Sequence, residues 1–330
     1  MNERKKYLDI MKFIGVCCLF LAHVQGPFIL EEIRGFDVTM MVFISGLLSI
    51  SSMDKIASKK DYIVKRIKRL VIPTWIFLIV FYFCMIMVGQ TPIISDVIKS
   101  FFFQRDCGLA GGVWIIWVYL VCAIIAPTIY CYISNIYHLF WIIILFIFYE
   151  VLITVMPSLI DVRFIYYTFC TIIPYGLIYT IGMYYHTFKK RTRRNLCICS
   201  FIIHFVLMLI LFIDNGSYIS ISNFKYPARL YYLSYGLTIS IILIEILKKN
   251  ENQIWENTLI RFVSKHSLWI YLWQIMILTV INYIFKISNY WFLSWIILLG
   301  GSFIITWIQN IIVNYIEKKR HIKFLKYFKA

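Results

Sequence analysis

The sequence predicts an all-α integral membrane protein, a bundle of about ten transmembrane helices with both termini in the cytoplasm. Three observations predict it. Of the 330 residues, 61% are apolar and only 15% are charged, against roughly a quarter charged in soluble domains. Charge-free apolar runs of the ~20 residues needed to cross a bilayer recur along the whole chain. Basic residues gather in every second loop, apart from the short one near Asn135. No alternating ten-residue pattern appears, which argues against an outer-membrane barrel.

The first crossing is expected over 11–30. Its charge-free run Phe13–Leu30 lacks a small-residue cleavage site and holds polar His23 and Gln25, so it reads as a spanning helix rather than a signal peptide. The second is expected over 37–53. The segment Asp54–Arg69 should be partly helical, with Tyr62, Lys65, Arg66 and Arg69 three or four residues apart on one face. That face is either a basic stop-transfer flank or a phosphate-binding surface. The third crossing, 70–89, carries Pro73 early, where a helix tolerates it.

The semi-apolar loop Gly89–Gly111 should lie on the outer interface. The uncharged stretch Cys107–Tyr149 is long enough for two crossings, 112–131 and 138–156. Further crossings are expected over 164–185 and 196–213. The loop Asp214–Arg229 then combines Asn215 and Gly216 with Tyr218, Phe224 and Tyr226. Such a loop suits a sugar, and it equally suits an ordinary aromatic belt. The last three crossings are expected over 229–247, 266–285 and 290–315. No linker, low-complexity tract or internal repeat interrupts this order, which argues against an inverted-repeat transporter. One domain over 1–330 is expected, with a helical core at 7–315 and a basic cytoplasmic tail at 316–330.

Sorted by loop, 26 of the 33 Lys and Arg fall on one side and 7 on the other. This is the positive-inside pattern. The net charge of +17 therefore reports topology and implies no nucleic-acid partner. Contact with anionic headgroups is its secondary consequence. The nine cysteines form no CxxC or Cys/His spacing, so they read as buried, inert thiols, and no metal site is expected.

His23 is the most informative residue, because an ionisable side chain deep in a membrane defaults to a functional hypothesis. Lys12 precedes it by eleven residues, which returns to nearly the same helical face about 16 Å away. Asp9, Lys12, Gly15, Val16, Leu19 and His23 then form one stripe. It suits a long, thin substrate with an anionic head near Lys12 and a reactive tail near His23, the shape of an acyl-coenzyme A. His23 would serve as general base or acyl carrier. The alternative is that His23 bonds a neighbouring helix and Lys12 snorkels to the interface.

Five motifs in order resemble the membrane acyltransferase-3 family, bacterial enzymes that acetylate sugars and polysaccharides. Lys12 with His23, preceded by Asp9, resembles the family's [RK]-x10-H signature. Phe43-Ile44-Ser45-Gly46 resembles its FxSG segment, and Arg66-Ile67-Lys68-Arg69 its RxxR. Gly112-Val113-Trp114 is similar to the small-residue-plus-Trp start of its fourth helix. Ser267-Leu268-Trp269-Ile270-Tyr271-Leu272 is similar to its late SLxIYL segment. The resemblance spans about 7–315. One residue departs from the pattern: the late segment often ends in His, and here Gln274 stands there and cannot take up a proton.

The resemblance implies an O-acyltransferase of the bacterial cytoplasmic membrane, with acetyl-CoA or another acyl-CoA as co-substrate and no bound cofactor. Arg66 and Arg69 would hold the donor phosphates, with Lys12 assisting and Asp9 pairing with Lys12 or Arg66. His23 would carry the proton chemistry. Ser45, Trp114, Glu150, Tyr271 and Gln274 are candidates for the acceptor site or cavity, and Ser45 with Gly46 would let the first and second helices pack closely. The acceptor would be an envelope sugar or polysaccharide, acylated by the membrane core itself. The rival is an exporter of polysaccharide or lipid-linked sugar without transferase activity. The Trp/Phe-rich tenth helix suits a homodimer.

Overall fold

A computed structural model describes residues 5–56, 58–132, 137–251, 257–282, 290–320 and 323–329. The chain forms α1 (Lys6–Leu21), α2 (Phe28–Ile33), α3 (Asp37–Met53), α4 (Lys59–Met87), α5 (Ile94–Phe101), α6 (Trp114–Cys131) and α7 (Tyr137–Val155). There follow α8 (Arg163–Tyr167), α9 (Phe169–Tyr184), α10 (Lys190–Asn215), α11 (Leu230–Lys249), α12 (Thr258–Val280) and α13 (Trp291–Arg320). There is no strand among the described residues. Helices dominate because, within lipid, every backbone N–H and C=O must find its partner inside its own segment.

Eight of the helical spans among the described residues are long and apolar enough to cross a membrane. The other two expected crossings are present as α1 and α12. The first is only 16 residues long, and the second carries Lys265, His266 and Gln274 within its run. Several boundaries differ from expectation. α4 begins at Lys59, so the basic segment and the third crossing are one continuous helix. The crossing expected over 164–185 is broken at Thr168 into α8 and α9.

The expected free tail also differs. α13 runs on to Arg320, and a 3-10 turn over Lys323–Phe328 then folds back. The Trp269 indole donates to the Tyr327 carbonyl at 3.0 Å, and the Gln309 amide donates to that of Phe328 at 2.8 Å. The Phe328 ring stacks on Trp269, and Lys329 pairs with Glu317. Tyr327 and Phe328 are thus half-buried against α12 and α13, while Phe324 stays exposed.

The chain divides into two compact units, each made of discontinuous segments. One comprises Met1–Pro27, Val64–Leu120 and Trp255–Ala330; the other comprises Phe28–Ile63 and Val121–Ile254. In the first, α1, α12 and α13 pack on one another. Also in this unit, α5 exposes Ile94 and Ile98, and Phe102 just after it is exposed too, an apolar face of the kind that lies in a membrane interface.

In the second unit, α3 packs on α9 and α11, and α10 packs on α11. The α3–α9 crossing is very close: a Cβ on Gly46 would sit 2.1 Å from the Tyr179 carbonyl oxygen, and one on Gly182 would sit 2.2 Å from that of Phe43. Small residues allow this backbone contact, as membrane helix packing favours. Gly46 therefore serves α9, in place of the expected first helix. α10 presents Phe201, Phe205 and Phe212 outward, a surface made for lipid.

Candidate active site

The first unit contains Asp9, Lys12, His23, Arg66, Arg69, Trp114, Tyr271 and Gln274. α1 carries the first two at half-buried positions. The helix ends at Leu21, not at residue 30. Gly26 and Pro27 bar its continuation to residue 30: the residue before a proline is driven out of helical geometry, and glycine weakens the turn before it. His23 is thus not on the helical stripe expected for it. It sits half-buried in the turn that follows, its backbone N–H donating to the Phe20 carbonyl at 3.1 Å. Nine helical steps from Lys12 to Leu21 still carry the chain about 14 Å from the basic side before that turn.

Asp9 accepts a hydrogen bond from the Ser264 hydroxyl of α12 at 2.5 Å, a partner that neither sequence position suggests. Two residues on, His266 leaves helical geometry (φ −110°, ψ 19°) and kinks α12. Its ring Nδ1 lies 3.4 Å from the Asn310 amide nitrogen of α13. Asn310 heads a buried polar line, Ser302, Thr306 and Asn310, in which each side chain donates to the carbonyl four residues earlier. Such back-bonding satisfies polar groups within the helix itself.

Further along α12, the Tyr271 hydroxyl donates to the Gly112 carbonyl at 2.5 Å. A Cβ on Gly112 would come within 3.1 Å of that same hydroxyl. A side chain there would crowd this hydroxyl and Ile275, and two of the sequence motifs meet at this bond. Trp114, two residues on, is half-buried and opens α6. Gln274 is fully buried, yet neither its amide nitrogen nor its amide oxygen has a hydrogen-bond partner among the described residues. Leaving buried amide atoms unpaired costs roughly 1–3 kcal/mol, so this side chain is out of keeping with a purely structural role.

Arg66 and Arg69 lie one turn apart on α4, the first half-buried and the second exposed. Pro73 has no N–H to donate to the Arg69 carbonyl, its partner in an unbroken helix. Two guanidinium groups on one turn form a fork suited to phosphate oxygens.

Ser45 and Glu150 belong to the second unit. Ser45 is half-buried beside Gly46. The Glu150 carboxylate accepts from Arg229 Nε at 2.8 Å and from the Leu230 backbone N–H at 2.5 Å. Both oxygens are thus engaged in holding the start of α11.

The loop 216–229 has a second anchor at Asp37, whose side chain is buried. Its carboxylate faces Lys225 Nζ at 3.5 Å and Arg34 at 3.4 Å. Burial pulls the Lys225 ammonium down, but Asp37, aided by Tyr232 and Tyr226, outweighs it and raises its pKa. Lys225 therefore stays cationic. Glu32 accepts from Tyr218, Ser220 and the Ile221 N–H, completing the loop's attachment. The aromatic loop, for which a sugar contact is one of two readings, holds itself to α2 and α3 through these bonds.

The residues that sequence reasoning misses are Ser264, His266, Asn310, Asp37, Lys225 and Gly182. The Ser302–Thr306–Asn310 spacing of four is a legible helical-face signal. The others become meaningful only when distant segments meet.

A family model described as an acyltransferase domain matches residues 5–310. No curated protein matches, and no solved structure matches.

Proposed function

The chain belongs to the membrane acyltransferase-3 family, and on that footing we propose that it moves an acetyl group from cytoplasmic acetyl-CoA to a hydroxyl of an envelope sugar or polysaccharide. It is a multi-pass membrane acyltransferase, a transferase of groups other than aminoacyl groups. The donor, the acceptor and the bacterial cytoplasmic membrane as its location are our reading. The observation that carries it is that one compact unit contains Asp9, Lys12, His23, Arg66, Arg69, Trp114, Tyr271 and Gln274.

In this reading the phosphates of the donor meet Arg66, Arg69 and Lys12 on the basic side. The pantetheine arm follows α1 inward past Gly15. His23 Nε2 or Nδ1 takes the proton of the acceptor hydroxyl as its oxygen attacks the thioester carbonyl. The tetrahedral intermediate collapses, the carbon–sulfur bond breaks, and the coenzyme thiolate leaves. The imidazolium returns the proton to that thiolate, so the products are an ester and a free thiol. Asp9, through Ser264, fixes α1 against α12 and hence the level at which His23 stands.

Purified protein in detergent is incubated with radiolabelled acetyl-CoA and envelope polysaccharide. Label should enter the glycan with one thiol released per ester. His23→Ala should lower transfer by about 10²–10⁴-fold while the protein keeps its thermal transition. Unchanged transfer in that variant would remove His23 from the chemistry.

A further inference from the structure

We propose that the Gln274 side chain binds the secondary amide nearest the sulfur in the pantetheine arm of the thioester donor. This rests on the acyl-CoA reading above. The starting observation is the buried Gln274 amide, whose nitrogen and oxygen both lack a partner among the described residues. A primary amide offers donors on one atom and an acceptor on the other. A secondary amide offers one of each, so the two are complementary. A thioester carbonyl engages only part of that capacity, and a lone hydroxyl must serve both atoms from a single oxygen.

The level of Gln274 in the membrane agrees. α1 and α12 both start on the basic side, and the Asp9–Ser264 hydrogen bond sets their register. Gln274 lies ten residues beyond Ser264, about 15 Å along the axis. α1 ends at Leu21, twelve residues and about 18 Å beyond Asp9, and His23 stands in the turn that follows. Gln274 is therefore about 3 Å nearer the basic side than the end of α1, after which His23 stands. In the donor, two methylenes separate the thioester sulfur from the first amide nitrogen, and that amide lies on the phosphate side of the sulfur. A donor threaded head-inward with its carbonyl at His23 brings this amide to the level of Gln274. Entry requires α12 to move aside, and the helix is already broken at His266, eight residues before Gln274.

Gln274 then acts as a substrate-binding residue that takes no proton, which accounts for glutamine in a place where only hydrogen bonding is needed. Its replacement by leucine removes two unpaired buried atoms, so the empty protein should be at least as stable. A merely structural glutamine would do the opposite.

The test compares acetyl-CoA with its full-length analogue in which the amide N–H nearest the sulfur is replaced by methylene. Wild type should use acetyl-CoA about tenfold better in kcat/KM, the worth of one such hydrogen bond. In Gln274→Leu this preference should vanish, through a rise in KM for acetyl-CoA, with the thermal transition unchanged or raised. Gln274→Glu, which keeps only an acceptor, should retain part of it. Equal discrimination in wild type and Gln274→Leu overturns the proposal. No transfer from acetyl-CoA by wild type would instead sink the acyl-CoA reading, and this inference with it.

Discussion

Arg229 ties α7 to the start of α11 at one point. Its guanidinium donates to Glu150 at 2.8 Å and to Thr154 Oγ1 at 2.6 Å, and the same carboxylate caps the backbone of Leu230. An isolated Glu in an apolar helix looks functional from sequence, because an intramembrane charge is costly. The structure answers that cost with a partner 79 residues away, and no sequence spacing reveals such a partner. Arg229→Ala should therefore cost about 1–3 kcal/mol of stability, read as a lower thermal transition in detergent, while the folded fraction still transfers acetyl. A transition unchanged from wild type would contradict the anchoring role. His23 and Lys12 are legible because their residue types are unusual in an apolar run. The Asp9–Ser264 bond is not, since it joins opposite ends of the chain.

Helix ends and crossings are legible in proportion to their local chemistry. α3 covers the residues expected for it, Asp37–Met53, because its apolar run is bounded by charges at both ends. α1 stops short of residue 30 because Gly26 and Pro27 outweigh a continuous apolar pattern. α8 and α9 divide at Thr168, a break without a local signal in the sequence. The glycine crossing of α3 and α9 needs both partners: Gly46 stands out in its motif, but Gly182 names the helix it meets. Gly46→Ala should prevent this crossing, since the added carbon would sit 2.1 Å from a carbonyl oxygen. Gly300, on α13, has nothing within 4 Å of its Cβ position, so Gly300→Ala should be neutral or stabilise by up to about 1 kcal/mol. Thermal denaturation of the two variants side by side checks the contrast. Equal transitions would contradict a close glycine crossing.

At the scale of the whole molecule, topology is far more legible than assembly. Lys and Arg sort onto one side because translocating them is unfavourable, and that rule acts locally on each loop. It sets the direction of α1 and so distinguishes the Lys12 end from the His23 end. The division into two units cannot be read this way. It arises from contacts between α1 and α12 and between α3 and α9, which no local pattern encodes. It also separates Ser45 and Glu150 from the other candidate residues, which lie in the first unit.

The proposed reaction consumes an acyl donor on the basic side to esterify a sugar hydroxyl at His23. Sealed proteoliposomes put it to the test, with radiolabelled acetyl-CoA supplied only on the basic face and glycan enclosed on the other. Wild-type protein should produce labelled ester on the enclosed glycan with thiol released outside, and His23→Ala should produce none above background. Movement of glycan across the membrane without ester formation would contradict this reaction and leave an exporter in its place.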